Sequence, residues 1–205
     1  MRRGKEIYAI PMWLNGHAYL KPGQSYRDVC NPVTGEVLRK TPQFGTEEVD
    51  EALCSAGGGL AAWDAIGESG RKRLLSSLGD ALNDMREHFA RLIAEETGRD
   101  EESASRDVLD VVSFLREPQM GKVTGVVAVS ASSKGFQEVV ALGTAALVAG
   151  AALVICPSPE SPSALLALAE LSGRCGFPAG VINVIYPSDE ALAGLRKMPG
   201  ITVLT

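Results

Sequence analysis

The sequence has few of the residues that build metal sites and disulfide frameworks. Its 205 residues include two histidines and four cysteines, and no two cysteines have CxxC spacing. We therefore expect no zinc site and no disulfide scaffold, and reduced thiols favour a cytoplasmic location. Aromatic residues are scarce at 5%, but 45% of the chain is hydrophobic, which is sufficient for a packed core and excludes a disordered protein.

An excess of basic charge and long apolar runs are also lacking. Twenty Lys and Arg against 25 Asp and Glu give a net charge of −5, so binding to nucleic acid or to an anionic membrane surface is not expected. The apolar stretch 139–155 is interrupted by Gly143, Thr144 and Gly150, and it falls short of the ~20 residues that cross a bilayer. No apolar stretch of secretory length follows the basic N-terminus, so export is not expected.

Residues 8–42 are predicted to form small antiparallel β ribbons. Asn15 and Gly16 lie between two short apolar runs, and this dipeptide is typical of a two-residue hairpin turn. A second turn is predicted at 31–35, where asparagine, proline and glycine occur together.

Residues 46–116 are predicted to be helical. Thr46 is a candidate N-cap for a first helix that crosses three glycines at 57–59, each about 1 kcal/mol less favourable than alanine. Asp84 and the glutamate three residues later have capping-box spacing, so we expect a helix to begin there and to end at Gly98.

Apolar runs of strand length alternate with helical stretches from residue 123 onward. The predicted strands cover 123–129, 152–155, 181–185 and 201–204. Near-continuous apolar strands are typical of a parallel sheet with both faces covered. We therefore predict an α/β fold, a Rossmann-like parallel sheet flanked by helices. Residues 1–205 are expected to form one domain with three zones, 8–42, 46–116 and 123–205.

Several separate segments match the pattern of one known family. They are Trp13 to Gly16, Asn31 to Val37, Glu95 to Arg99, Gly125 to Val127, Ala145 to Gly150 and Gly176 to Val184. In order and spacing, the chain resembles the N-terminal, cofactor-binding half of the aldehyde dehydrogenase superfamily. The resemblance covers nearly the whole chain and implies that family's Rossmann-like domain, preceded by β hairpins and a helical segment.

The resemblance also implies which parts of the family pattern are missing. The family's catalytic domain, with its cysteine nucleophile and glutamate general base, has no counterpart in these residues, so no catalytic residue is expected. Between Leu115 and Val123 the chain is shorter than the family pattern, where a segment normally forms part of the oligomerisation flap. The resemblance thus implies a truncated, degenerate relative.

Side chains at the implied cofactor cleft differ from the family pattern. Lys134 stands where the family has the asparagine of its oxyanion hole, and Pro187 replaces a glycine that approaches the cofactor. Cys156 and Pro159 replace a lysine and a glutamate near the adenine ribose. We therefore expect no NAD(P) cofactor, and we expect Cys156, which has no nearby histidine, to be an unreactive, partly buried thiol. The candidate residues of the vestigial site are Ser130, Ser132, Lys134, Cys156, Ser158 and Pro187.

The sequence leaves several functions open. The leading expectation is a catalytically inactive aldehyde-dehydrogenase-like protein that is a structural or regulatory partner of another oxidoreductase, through a protein partner or self-association. An alternative is a small-molecule binding protein that holds a nucleotide or another anion at the strand ends, where the loop 132–135 precedes a helix. The remaining alternatives are an NAD(P)-dependent aldehyde dehydrogenase fragment that needs a missing catalytic half, and a decayed or truncated gene product.

Overall fold

The computed structural model describes residues 7–131 and 135–205, which contain two β-sheets. The strands are β1 (Met12–Leu14), β2 (His17–Tyr19), β3 (Ser25–Cys30), β4 (Val37–Gln43), β5 (Val126–Ser130), β6 (Ala152–Cys156), β7 (Ile182–Val184) and β8 (Thr202–Leu204). The larger sheet has the order β2-β1-β7-β6-β5-β8, and β3 pairs with β4 in a separate two-stranded ribbon.

Some helices pack against the larger sheet, and others form a helical layer beside it. They are α1 (Thr46–Ala65), α2 (Gly67–Asp84), α3 (Arg86–Thr97), α4 (Glu101–Arg116), α5 (Phe136–Val148), α6 (Ser163–Arg174) and α7 (Asp189–Leu195). Within the described parts of the chain, no helix combines the length and the apolar character that a membrane span requires.

The predicted α/β fold is confirmed. Strands β5, β6, β7 and β8 run parallel, and β6 is buried along its whole length. This burial explains the continuous apolar runs in the sequence, because helices cover both faces of the parallel sheet and leave no face for polar residues. The carboxyl ends of β5 and β6 meet at one edge, where Ser130 is in register with Cys156.

The hairpin predicted at Asn15 and Gly16 is present and extends the larger sheet. Both residues have positive φ, 50° and 77°, as a two-residue turn with the twist of β-strands requires. Strand β1 pairs with β7 through Trp13 and Val184, an antiparallel contact that the sequence pattern did not indicate. Buried Asn183 explains this placement, because its Oδ1 accepts hydrogen bonds from the Asn15 amide at 3.2 Å and from Ser55 Oγ at 2.7 Å.

Two predicted helix N-caps were each wrong by one residue. The N-cap of α1 is Gly45 rather than Thr46, since the Glu48 carboxylate accepts a hydrogen bond from the Gly45 amide at 3.0 Å and makes a side-chain cap unnecessary. Asp84 is the last residue of α2 rather than the cap of α3, which has Met85 at its N-cap. The predicted stop at Gly98 is confirmed, with a left-handed φ of 71°.

Two glycines of α1 offer a test of how closely that helix approaches the sheet. A Cβ atom at Gly59 would lie 2.7 Å from the carbonyl carbon of Gly180, whereas one at Gly57 would meet nothing within 4 Å. We expect Gly57→Ala to raise the free energy of unfolding by about 0.5–1 kcal/mol and Gly59→Ala to lower it by about 1–3 kcal/mol. Urea unfolding of both variants measures this, and equal stabilisation by the two would contradict the close approach.

A second pair of variants tests a buried hydroxyl on α5. Thr144 is buried, and its Oγ1 has no hydrogen-bond partner among the described residues, whereas the Oγ1 of buried Thr41 donates to the Pro159 carbonyl at 2.9 Å. We expect Thr144→Val to stabilise the protein by about 1 kcal/mol and Thr41→Val to destabilise it by about 1–3 kcal/mol, because only the latter leaves a carbonyl unpaired. Thermal unfolding compares them, and a similar loss in both would refute this account of Thr144.

Candidate functional site

A cleft of about 190 Å³ opens at the carboxyl ends of β5 and β6, and we call it the strand-end cleft. Its lining residues are Arg27, Gln43, Ser130, Cys156, Pro157, Ser158, Pro159, Glu160, Pro187, Asp189 and Leu192. Open α/β sheets bind their ligands at this edge, because the loops there diverge and leave a crevice.

The structure brings four of the six candidate residues together. Ser130, Cys156, Ser158 and Pro187 all line the strand-end cleft, although the first and last are 57 positions apart in sequence. Ser132 and Lys134 lie outside the described residues. The grouping follows from topology, since parallel neighbouring strands place their carboxyl ends side by side.

Strand β4 and the residue after it hold two of the loops that form the cleft. Thr41 Oγ1 donates to the Pro159 carbonyl at 2.9 Å and fixes the loop after β6. The Phe44 amide donates to the Tyr186 carbonyl, and the Ser188 amide donates to the Phe44 carbonyl, each at 2.8 Å. These contacts fix the loop after β7, so Pro159 and Pro187 have defined positions on the cleft wall.

Three charged residues form the entrance of the cleft, and we call them the rim cluster: Arg27, Glu160 and Asp189. The Arg27 guanidinium lies 2.8 Å from Asp189 Oδ2 and 3.8 Å from Glu160 Oε1. Ser158 Oγ donates to Glu160 Oε2 at 2.5 Å and orients that carboxylate. The sequence analysis did not identify these three residues, because Arg27 belongs to β3 and no local motif links it to Glu160 and Asp189, which lie 133 and 162 positions later.

The Cys156 thiol on the cleft wall is buried. Complete burial raises its pKa to about 12, and the positive charge of Arg196 opposes this shift only in part. The Arg196 guanidinium also donates to Ser130 Oγ at 3.5 Å, so a cation stands near the end of β5. The Cys156 side chain therefore presents a small, largely apolar surface on the wall of the cleft.

A second cavity of about 220 Å³ lies between α3, α4, α5 and α6 and shares Ser158 with the cleft. Its buried Glu96 accepts hydrogen bonds from the Ser163 amide at 3.0 Å and from Ser163 Oγ at 2.5 Å, and it pairs with Arg39 at 3.3 Å. Burial raises the pKa of Glu96, whereas the contacts with Ser163 and Arg39 act to lower it. These groups satisfy one another, so Glu96 anchors the start of α6.

The start of α5, the alternative anion site suggested by the sequence, is partly occupied by the protein itself. The Gly135 amide donates to Glu138 Oε2 at 3.3 Å, so a carboxylate already lies at this helix end. Residues 132–134 of the suggested loop lie outside the described parts of the chain. Among the residues that the structure describes, no three His, Cys, Asp or Glu side chains are placed to hold a metal ion.

Comparison with known proteins identifies the family to which this fold and this cleft belong. Residues 19–134 and 135–205 match the aldehyde dehydrogenase family. The chain belongs to that family. The resemblance found in the sequence is thereby confirmed, and the 205 residues correspond to the N-terminal half of an aldehyde dehydrogenase.

The similar proteins include both sequences and solved structures. Malonate-semialdehyde dehydrogenase from Bacillus subtilis subsp. natto is 25% identical over 223 residues, which cover 98% of this chain and 46% of that protein. A lactaldehyde dehydrogenase structure has a TM-score of 0.85 at 21% identity and covers 97% of this chain and 47% of its own. The chain therefore spans about half the length of the curated relatives it matches.

The expectation that no nicotinamide cofactor binds was wrong for this fold. A structure from Sinorhizobium meliloti 1021, described as a methylmalonate-semialdehyde dehydrogenase complexed with NAD, has a TM-score of 0.84 and 22% identity and covers 97% of this chain and 45% of its own. The expectation relied on the side chains at Lys134, Cys156, Pro159 and Pro187. Lys134 lies outside the described residues, and the other three side chains line an open cleft instead of filling it, so their replacement does not remove the cavity.

The state of the cleft thiol can be tested by alkylation. At pH 8 a thiol of pKa about 12 is ionised in roughly one molecule in 10⁴, so we expect iodoacetamide to modify exposed Cys54 and to leave Cys156 unmodified in the folded protein. Peptide mass spectrometry measures both sites. Urea-unfolded protein, in which both residues react, is the control, and equal labelling in the folded state would contradict the burial of Cys156.

Proposed function

We propose that this chain forms the dinucleotide-binding half of an NAD(P)-dependent oxidoreductase of the aldehyde dehydrogenase type. One observation supports this most directly: the strand-end cleft is open at the carboxyl ends of β5 and β6, where α/β folds bind nucleotides. Ser130, Cys156 and Ser158, at or just beyond these strand ends, leave room for a ligand because all three are small. The cleft holds the adenosine end of the dinucleotide.

The size and chemistry of the cleft fit that end of the cofactor. Its volume of about 190 Å³ is below the ~300–1,000 Å³ typical of complete ligand pockets, so it accommodates one nucleoside and leaves the remainder along the strand ends. Pro159 and Leu192 supply apolar surface for a base, and Glu160 and Asp189 supply acceptors for ribose hydroxyls. When bound, the nicotinamide ring of such a cofactor accepts a hydride.

The described residues are suited to binding rather than to bond-making. Cys156 faces the cleft but remains a thiol, because burial raises its pKa to about 12. Glu96 is committed to the first turn of α6 through Ser163. We therefore assign positioning of the cofactor to this chain, and the nucleophile and base of aldehyde oxidation to residues outside it.

A second candidate is a non-catalytic partner in a larger assembly. Strands β2 and β8 form the two edges of the described sheet, and each pairs with one neighbour there, so either edge offers unpaired backbone groups to another strand. We propose self-association or a complex with another oxidoreductase chain through such an edge. Sedimentation velocity and an affinity pull-down test the association. A protein that stays a monomer at all concentrations and captures no partner would contradict it.

We also propose that residues 1–205 form one domain. The four free cysteines support a cytoplasmic location.

Blocking the strand-end cleft tests the principal proposal. We expect NAD⁺ or NADP⁺ to raise the unfolding temperature of the protein, since a ligand at 100 times its Kd adds about 2.7 kcal/mol of stability. Leu192→Trp should abolish this increase, because Leu192 lines the cleft. Ala193→Trp is the matched control, because Ala193 is an exposed neighbour on α7 and does not line the cleft.

Differential scanning fluorimetry with each variant measures the effect. Retention of the increase in the Ala193→Trp variant and its loss in the Leu192→Trp variant would support the cleft as the binding site. No increase in the wild-type protein with either dinucleotide at millimolar concentration would contradict the proposed function.

A further inference from the structure

The order of the parallel strands creates a crevice beside β5. In the order β7-β6-β5-β8, the chain moves from β5 through β6 to β7 and then returns to the other side of β5 as β8. Right-handed crossovers therefore put α5 and α6 on one face of the sheet and α7 on the other. The connections diverge at the carboxyl ends of β5 and β8, and open α/β sheets bind ligands at such a point.

Arg196 brings a positive charge to this crevice. It directly follows α7 with a helical φ of −63° and ψ of −20°, one turn beyond Leu192 on the wall of the strand-end cleft. Helical side chains lean toward the helix N-terminus, so the Arg196 side chain extends back toward the strand ends. Its Nη2 lies 3.5 Å from Oγ of Ser130, the last residue of β5, and its charge acts on the Cys156 thiol at the end of β6. The guanidinium therefore lies near the carboxyl ends of both central strands.

The contact with Ser130 orients the Arg196 guanidinium but does not neutralise it. A hydroxyl is an uncharged partner, and 3.5 Å is at the outer limit of a hydrogen bond. Arg196 is also exposed, so a ligand can reach it. A guanidinium presents its N–H donors in a planar fork that matches the oxygen atoms of a phosphate. The chemistry and the position of Arg196 are therefore those of a phosphate-binding group.

Other groups around the strand ends create a need for this cation. The start of α5, which in many α/β folds would bind a phosphate, has the Glu138 carboxylate 3.3 Å from the Gly135 amide. The residues that line the strand-end cleft include one arginine and two carboxylates, Arg27 against Glu160 and Asp189, a formal charge of −1. A phosphate beside the cleft would be repelled by this charge unless a cation compensated it, and Arg196 is placed to do so.

We propose that Arg196 binds the phosphate groups of a nucleotide whose nucleoside occupies the strand-end cleft. The ligand class is a nucleoside 5′-diphosphate, alone or as part of a dinucleotide, and its phosphates extend from the cleft toward the crevice between β5 and β8. This inference rests on the proposed function of the cleft. It adds to that function a residue that does not line the cleft itself.

Isothermal titration calorimetry of the full chain with NAD⁺, ADP and adenosine tests the proposal. The wild-type protein should bind ADP more tightly than adenosine, because only ADP carries phosphates for Arg196. Arg196→Met, which removes the charge but keeps an unbranched side chain, should weaken the binding of ADP and NAD⁺ by about tenfold. It should leave the Kd of adenosine unchanged. Added salt should weaken the binding of ADP less in this variant than in the wild-type protein.

Further variants separate a phosphate contact from a structural role. Lys197→Met removes the same charge from the next residue, which is also exposed, and it should leave all three Kd values unchanged. Arg196→Lys keeps the charge without the planar fork, so its affinity for ADP should lie between those of the wild-type protein and Arg196→Met. Arg196→Gln replaces Arg196→Met in the test if the latter does not fold.

Each contrary outcome identifies which claim is wrong. Equal affinity of the wild-type protein for ADP and adenosine would overturn the role of Arg196 and leave the cofactor site in place. The same conclusion would follow if Arg196→Met left the affinity for ADP unchanged, weakened ADP and adenosine equally, or had the same effect as Lys197→Met. Failure of the wild-type protein to bind NAD⁺, NADP⁺ and ADP would overturn both this inference and the proposed function.

Discussion

The hydrogen bonds from β4 and Phe44 to the loops after β6 and β7 are the contacts on which the candidate site depends. Loops at the carboxyl ends of parallel strands have no pairing partner of their own, so their positions must come from elsewhere. Here Thr41 holds the carbonyl of Pro159, and Phe44 pairs with Tyr186 and Ser188. The small β3–β4 ribbon, which belongs to neither the sheet nor the helical layer, thus gives the cleft one of its walls.

The residues that line the cleft are held in position in two different ways. Ser130 and Cys156 are placed by the register of two buried strands, which packing fixes within narrow limits. Arg27, Glu160 and Asp189 are placed by loops and by the ribbon, and their partial exposure makes their ion pairs weak. The shape of the cleft is therefore set by the sheet, whereas its charge is set by groups that can change without disturbing the fold.

Local and periodic features of the sequence predicted most of the fold. Turn chemistry identified the hairpin at Asn15 and Gly16, and apolar runs located the parallel strands because burial on both faces leaves a strong signal. The pairing of Trp13 with Val184 and the position of Arg27 at the cleft depend on contacts across most of the chain, and no local pattern encodes them. The expectation that no cofactor binds was wrong for a related reason. It was based on individual side chains such as Cys156, whereas the cavity depends on how the backbone brings several elements together.

The link between Asn15 and Asn183 has a consequence for the order of folding during synthesis. These residues are separated by 168 positions, and the edge of the sheet that β1 extends does not exist until β7 has formed. The first hairpin therefore leaves the ribosome long before its docking strand, and with synthesis at roughly 5–20 residues per second it waits on the order of ten to thirty seconds. During that interval Trp13 lacks its partner Val184, so the hairpin cannot reach its native place before β7 has been synthesised.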